Sequence, residues 1–310
     1  MARILVTGAN GFIGTGLCPR LAARGHAVVA GLRRDAPVDG AEPVVVGDIG
    51  PATDWLPALR GVEIVIHLAQ RAHAGPDPAA LAAEPRAVTA LVEAMGKAGV
   101  WRLVLISSVK AMGEATARGR PFRPDDEPRP GDAYGRAKLA CERAALAAAQ
   151  NAGVELAIIR PPLVYGPGVR ANFAALIRLA ASGWPLPFAA LNNRRSLIFR
   201  DNLVDLLTIA ATHPAATGMT LLARDDTDFS TPELIRALAA GFGREARLFP
   251  IPTALFAAMR VLPVIGSPLS RLVGSLQIDD SSTRSALGWI PPVPAAPALA
   301  ATARAFTDGL

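Results

Sequence analysis

Apolar positions along this chain follow two rhythms. In the first half, short runs are aliphatic at nearly every position: RILVTG, HAVVAGL, EPVVVGD, VEIVIHLA, WRLVLISS and VELAIIRP. Such runs are too short and too uniform for one stripe of a helix and predict strands buried on both faces. Between them, apolar residues recur three and four apart. This holds in GFIGTGLCPRLAARG, which Gly25 ends, in a stretch near 79–98, and in DAYGRAKLACERAALAAAQNAG. The alternation predicts an α/β fold, a doubly wound parallel Rossmann-type sheet covered by helices, over residues 1–165. Beyond Pro161 the texture changes. Prolines and glycines become frequent, and helical patterns at 171–182, 201–212, 231–241 and 252–262 are separated by loops with few strands. Residues 166–310 are therefore expected to form a smaller, mostly helical substrate lobe over the carboxyl edge of the sheet. Some of its segments, such as 196–212, are expected to return to the main domain. PPVPAAPALAATARAF is the nearest approach to low complexity.

Composition narrows the function. With 310 residues, 51% of them hydrophobic, the chain can bury a large core. The net charge of +6 favours anionic partners. Its basic residues are scattered without blocks or interleaved aromatics, which argues against nucleic acid and for phosphorylated small molecules. Cys18 and Cys141 have no CxxC spacing and no histidine cluster, so neither a metal nor a disulfide is expected, and reduced thiols suit a cytoplasmic protein. The most apolar stretch, IPTALFAAMRVLPVIGSPLSRLVG, is broken by Arg260, Pro263, Pro268 and Arg271, so no membrane span is expected.

Candidate chemistry begins at TGANGFIG, directly after the first strand. A chain turning sharply from strand to helix can bring its backbone against a pyrophosphate only if side chains stay out of the way. Gly8, Gly11 and Gly14 meet that need in turn: a tight turn, a close approach and close packing of helix on strand. The second strand ends in Arg33 and Arg34, whose guanidinium groups suit a 2′-phosphate and favour NADP over NAD. The alternative leaves both in solvent and gives Asp35 the ribose of NAD.

The reacting groups come later, in ISSVKAMGEA and DAYGRAKLACE. Tyr134 and Lys138 are four apart at the start of a helix and share one face. A phenol titrating near 10 is a poor base, but a cation at ~4 Å contributes about 4 kcal/mol, near three pKa units. Lys138 can thus help Tyr134 exchange a proton with a substrate oxygen, and Ser108, ending the fifth strand, can hydrogen-bond that oxygen.

TGxxGxxG, the serine and YxxxK together resemble the extended short-chain dehydrogenase/reductases of the NAD-dependent epimerase/dehydratase family. The resemblance implies the catalytic set Ser108, Tyr134 and Lys138, with Ser107 as the competing serine. It also implies a cofactor site that takes in Phe12 and Ile13, Asp48 and Ile49 in GDIG, and Leu68 and Ala69 in HLA, besides Tyr134 and Lys138. His67 either lines the cofactor or caps a buried strand. RPPLVYGPGV, NNRRSLIFRDNL and LGWIPP resemble the nucleotide-sugar branch, most closely UDP-N-acetylhexosamine 4-epimerases and 4-keto reductases. This implies a sugar-diphosphate contact from Arg195 and from Asn172, the latter having helix capping as its other role. The arginines at 33 and 34 favour a net 4-keto reductase over an epimerase. A reductase of a non-sugar ketone and a catalytically silent dinucleotide sensor are the alternatives. The family implies a homodimer formed through two helices per subunit. One departure stands out: EPRAVTALVEA aligns with the family's VNxxGT segment so that Pro85 takes the place of the asparagine.

Overall fold

A computed structural model of the chain describes residues 1–69, 78–252, 254–256, 269 and 272–307. The aliphatic runs become parallel strands β1 (Arg3–Thr7), β2 (Ala27–Leu32), β3 (Glu42–Val45), β4 (Ile64–His67), β5 (Arg102–Ile106) and β6 (Glu155–Arg160). Although the three central positions of β1 are all apolar, successive side chains still go to opposite faces. Ile4 and Val6 pack with Leu17 and Leu21 of α1 (Gly14–Ala23) and Leu203, Leu206 and Leu207 of α5 (Arg200–Thr212). Leu5 packs on the other side with Leu91, Val92 and Met95 of α2 (Pro78–Ala98) and Ala145 and Ala149 of α3 (Ala133–Ala152). Fully apolar strands are what a sheet with two covered faces requires.

Strand order in the seven-stranded sheet is β3-β2-β1-β4-β5-β6-β9. The direction of winding reverses between β1 and β4, so the loops leaving Thr7 and His67, which are register partners, open a crevice where doubly wound sheets bind ligands. The edge strand β9 (Thr220–Leu222) pairs with β6 and escapes a sequence reading because it is three residues long.

The chain leaves the sheet after β6, and β7 (Leu163–Tyr165) pairs with β8 (Leu197–Phe199) in a separate two-stranded ribbon. Helices α4 (Ala171–Ala181), α6 (Thr231–Gly241) and α8 (Ala295–Thr307) pack around Tyr165, Phe173, Leu234, Leu238 and Leu299. Helix α5 follows β8 and lies back on α1, and buried Arg102 donates to the carbonyls of Ala211 (3.2 Å) in its last turn and His213 (2.9 Å) just after it. One carboxylate joins these parts. Buried Asp225 accepts from the Tyr165 hydroxyl (2.7 Å), the Phe199 N–H (3.0 Å) and Asn202 Nδ2 (2.7 Å), and Asn202 also donates to the Val293 carbonyl (2.8 Å).

Two helices were absent from the sequence reading: α7 (Ser281–Leu287) and α8, which occupies the alanine-proline stretch. Pro297 lies in the first turn of α8, where its missing N–H costs nothing. Of the helix expected at 252–262, residues 254–256 are helical and most of the rest lies outside the described residues. No described helix is long and apolar enough to cross a membrane.

Candidate active site

At the crevice each glycine answers a different steric demand. Gly8 has φ +70°, and a Cβ there would sit 2.9 Å from the Ala69 nitrogen. On Gly14 it would sit 2.4 Å from the Gly8 carbonyl oxygen and 2.5 Å from that of Ala9; on Gly11, 3.0 Å from the Gly8 oxygen. Only glycine lets the turn fold so tightly onto the start of α1. Ile13 precedes α1 and provides no side-chain cap, so the helix presents its N-terminal N–H groups without a carboxylate or hydroxyl occupying them. Thr7 ties the crevice together: its hydroxyl pairs with His67 Nδ1 (2.9 Å) and accepts from the Ala69 N–H (3.2 Å).

A cavity of about 390 Å³ opens from this turn. Gly8, Gly11, Arg33, Asp48, Ile49, Leu68 and Ala69, named from sequence, all line it. Phe12, Ile13 and Gly14 form the entry into α1. Arg33 Nη1 lies 3.7 Å from Asp48 Oδ1, both side chains largely exposed, while Arg34 and Asp35 are exposed and do not line the cavity. A glycine cradle against an uncapped helix start, continued by a groove with a guanidinium, fits the pyrophosphate and adenosine of a dinucleotide.

The reaction end is built from β5, α2 and α3. Asp132 caps α3 by accepting from the Gly135 N–H (2.7 Å), and its other oxygen pairs with Lys110 Nζ (2.5 Å) from the turn after β5. A Cβ on Gly135 would come 2.3 Å from the Lys110 carbonyl oxygen, so the two segments touch backbone to backbone. That contact sets Ser108 beside Tyr134, near enough for its hydroxyl to favour the ionised phenol. Lys138 lies one turn further on α3, its Nζ 5.1 Å from the Tyr134 ring centroid. It is buried, and Nζ donates no hydrogen bond among the described residues. Burial pushes the Tyr134 phenol up to about 12, with the Glu84 carboxylate adding to the rise and the Ser108 hydrogen bond opposing it. Burial also pulls the Lys138 amine down to about 8.

The two serines have different partners. Ser107 is buried and donates to Glu142, whose carboxylate Arg160 holds at 2.9 and 2.6 Å, so its hydroxyl is committed elsewhere. His67 ends a buried strand against Thr7 and also lines the cavity. Desolvation, then the charge of Lys138, pulls it down to about 4, so it is neutral near pH 7.

Pro85 lies within α2. Pro85 does not line the cavity; Glu84 does, on a face of α2 shared with Ala80, Ala83, Ala87 and Val88. Helical spacing of three and four was the signal that could have found it. Asn10 and Cys141 are further cavity residues that sequence reasoning missed. In the lobe, the Arg195 guanidinium donates to the Gly274 carbonyl (3.0 Å) while its backbone pairs with Phe229. Asn172 is exposed in the first turn of α4 and does not cap it, because Arg170 holds the cap position. Neither residue lines the cavity. Among the described residues, no group of three histidines, cysteines or carboxylates could hold a metal ion.

Comparison with known proteins gives a consistent answer. Residues 4–220 match the model of the NAD dependent epimerase/dehydratase family. UDP-glucose 4-epimerase of Vibrio cholerae is 38% identical over 314 residues, 98% of this chain and 95% of the relative. MoeE5 in complex with UDP-glucose and NAD superposes with TM-score 0.78 at 28% identity over 99% of both chains. UDP-glucuronic acid 4-epimerase from Bacillus cereus in complex with NAD superposes with TM-score 0.79 at 22% identity over 99% of both, a likeness of fold.

Proposed function

The chain belongs to the NAD-dependent epimerase/dehydratase family, and from that premise we propose that it is a 4-epimerase of a UDP-linked hexose that keeps NAD bound through the cycle. The observation that carries this reading is the meeting of Ser108, Tyr134 and Lys138 where the turn after β5 touches the start of α3. The 38% identical UDP-glucose 4-epimerase supports the substrate class.

Bound in the cradle, the dinucleotide supplies a hydride acceptor and, later, a hydride donor for C4 of the sugar. Tyr134 takes the proton from the C4 hydroxyl as the carbon is oxidised and returns it once the 4-keto sugar has turned over. Ser108 hydrogen-bonds the same oxygen and holds it against the phenol. Burial keeps Tyr134 protonated; a positive charge on Lys138, 5.1 Å from its ring, works in the opposite sense and favours the ionised form. The lobe built from β7, β8, α4, α6 and α8 holds the sugar nucleotide, with Arg195 and Asn172 toward its diphosphate. Replacing Arg195 by Ala should raise the sugar KM sharply; an unchanged KM would favour a non-sugar ketone. The exposed alanines of α3 with Leu146, along the seam with α2, suit a homodimer contact.

A second reading, a net 4-keto reductase using NADP, is favoured by Arg33 in the cavity wall. Denaturing the freshly purified protein and identifying the released nucleotide separates the two. Near-stoichiometric NAD, with interconversion of UDP-glucose and UDP-galactose in the absence of added cofactor, supports the epimerase. An empty protein that binds NADPH well ahead of NADH overturns it in favour of the reductase. A Tyr134→Phe variant as active as the parent would overturn both.

A further inference from the structure

Helix α2 turns one face to the cavity: Ala80, Ala83, Glu84, Ala87 and Val88. Four of these are small and apolar; Glu84 is the ionisable one. Helix α3 packs along α2, bringing Cys141 to the same cavity and Lys138 one turn before it. The Lys138 amine is buried with no hydrogen-bond partner among the described residues, the situation in which an ammonium gives up its proton.

Charged and titratable groups approach this pair from every neighbouring element. From α3 come Cys141 and Glu142, with Asp132 at its start; from β4 comes His67; from α2 comes Glu84. Burial keeps the Cys141 thiol protonated and His67 neutral. Glu142 is held by Arg160, and Asp132 by Lys110. Of the opposing charges, Glu84 contributes most to restoring the Lys138 proton, and the same carboxylate works against ionisation of Tyr134.

We propose that Glu84 is a positioning residue for the Tyr134–Lys138 pair, its carboxylate acting from α2 on the buried amine of α3 to keep it an ammonium. Glu84 directly precedes Pro85, the residue that stands at the asparagine position of the motif the chain resembles. Both members of the pair then hold their protons more tightly than burial alone would dictate, and the window in which Lys138 is charged extends upward in pH.

The chain lends itself to a direct test, because it has three lysines, Lys97, Lys110 and Lys138, and two tyrosines, Tyr134 and Tyr165. Full-length protein labelled with carbon-13 at lysine Cε is titrated by NMR without added sugar. In Glu84→Gln the Lys138 midpoint should fall by about one pH unit, roughly a tenfold loss of ammonium at a fixed pH above it. Lys97 and Lys110 should not move, Glu84→Asp should restore most of the shift, and phenolate absorbance of Tyr134 should rise at lower pH. Loss of the Lys110 signal's native position would report a misfolded variant, in which case Glu84→Asn supplies the same readout. A Lys138 midpoint unchanged in a folded Glu84→Gln or Glu84→Asn protein overturns the proposal. The inference rests on Tyr134 and Lys138 being the proton-transfer pair. A normal titration shift with an active Tyr134→Phe enzyme would overturn that pairing alone, whereas an unshifted midpoint leaves the epimerase reading intact.

Discussion

The glycine cradle and the Asp225 junction hold two parts of one molecule together by opposite means. The cradle is backbone: a turn within residues 7–16 closes on the start of α1, and what it demands of the sequence is the absence of side chains. The junction is one buried carboxylate that collects Tyr165, Phe199 and Asn202, from β7, β8 and α5, each more than twenty residues away in sequence. A local backbone device is specified by a short motif. A long-range polar hub is specified by residues that carry no signature until the chain has folded.

The contrast can be broken at either end. The largest effect is expected at the junction. Asp225→Ala leaves a buried hydroxyl, an amide and a backbone N–H without their acceptor, and should cost about 4 kcal/mol of stability. Chemical denaturation should show it as a lower midpoint, with dinucleotide affinity of the remaining folded protein little changed.

Next comes acid sensitivity beside the cradle. The folded-state value of His67, about 4, lies below the usual 6.5, so the unfolded chain binds this proton more tightly. Its contribution is complete above pH 6.5 and is lost as pH falls toward 4, a difference of roughly 3 kcal/mol. Unfolding free energies measured across that window should decline less steeply in His67→Gln than in the parent.

Gly14→Ala attacks the cradle itself. Its methyl would overlap the Gly8 carbonyl oxygen, so the turn must open, and dinucleotide affinity should fall about a hundredfold, near 2.7 kcal/mol. Calorimetric titration would check this; unaltered affinity would mean that the turn is not the phosphate site. The smallest effect belongs to the exposed rim. Arg33→Ala should lower the ratio of NADP to NAD affinity by about three- to tenfold, at most ~1.4 kcal/mol, as befits a solvent-screened guanidinium.

Legibility in the sequence follows the same division. Six of the seven sheet strands announce themselves as aliphatic runs, and Gly8, Gly11 and Gly14 state their own steric reason. Tyr134 and Lys138 are a single helical turn apart, and Ser108 is reached by counting along one strand and loop. Glu84 belongs to no motif, although the 80-83-84-87-88 spacing of α2 faces it toward the cavity. Asp225 was hidden for a deeper reason, because an aspartate in RDDTD looks like any other acidic loop until Tyr165 and Asn202 arrive. Strand β9 and helix α8 were missed because one is short and the other resembles a low-complexity tail.

The position of β9 in the chain bears on how the protein is made. Its partner β6 ends at Arg160, yet the strand that covers that edge is Thr220–Leu222, and the α5 carbonyls that receive Arg102 come just before it. As the polypeptide leaves the ribosome, the nearly finished sheet must wait with a bare edge, and with Arg102 held by Glu155 but lacking its α5 acceptors, until about sixty more residues have been added. During that interval the nascent protein offers a ready template for a stray strand from a neighbouring chain. A message that pauses translation within α4 should prolong the exposure and raise the aggregated fraction, whereas the same pause after residue 222 should be harmless.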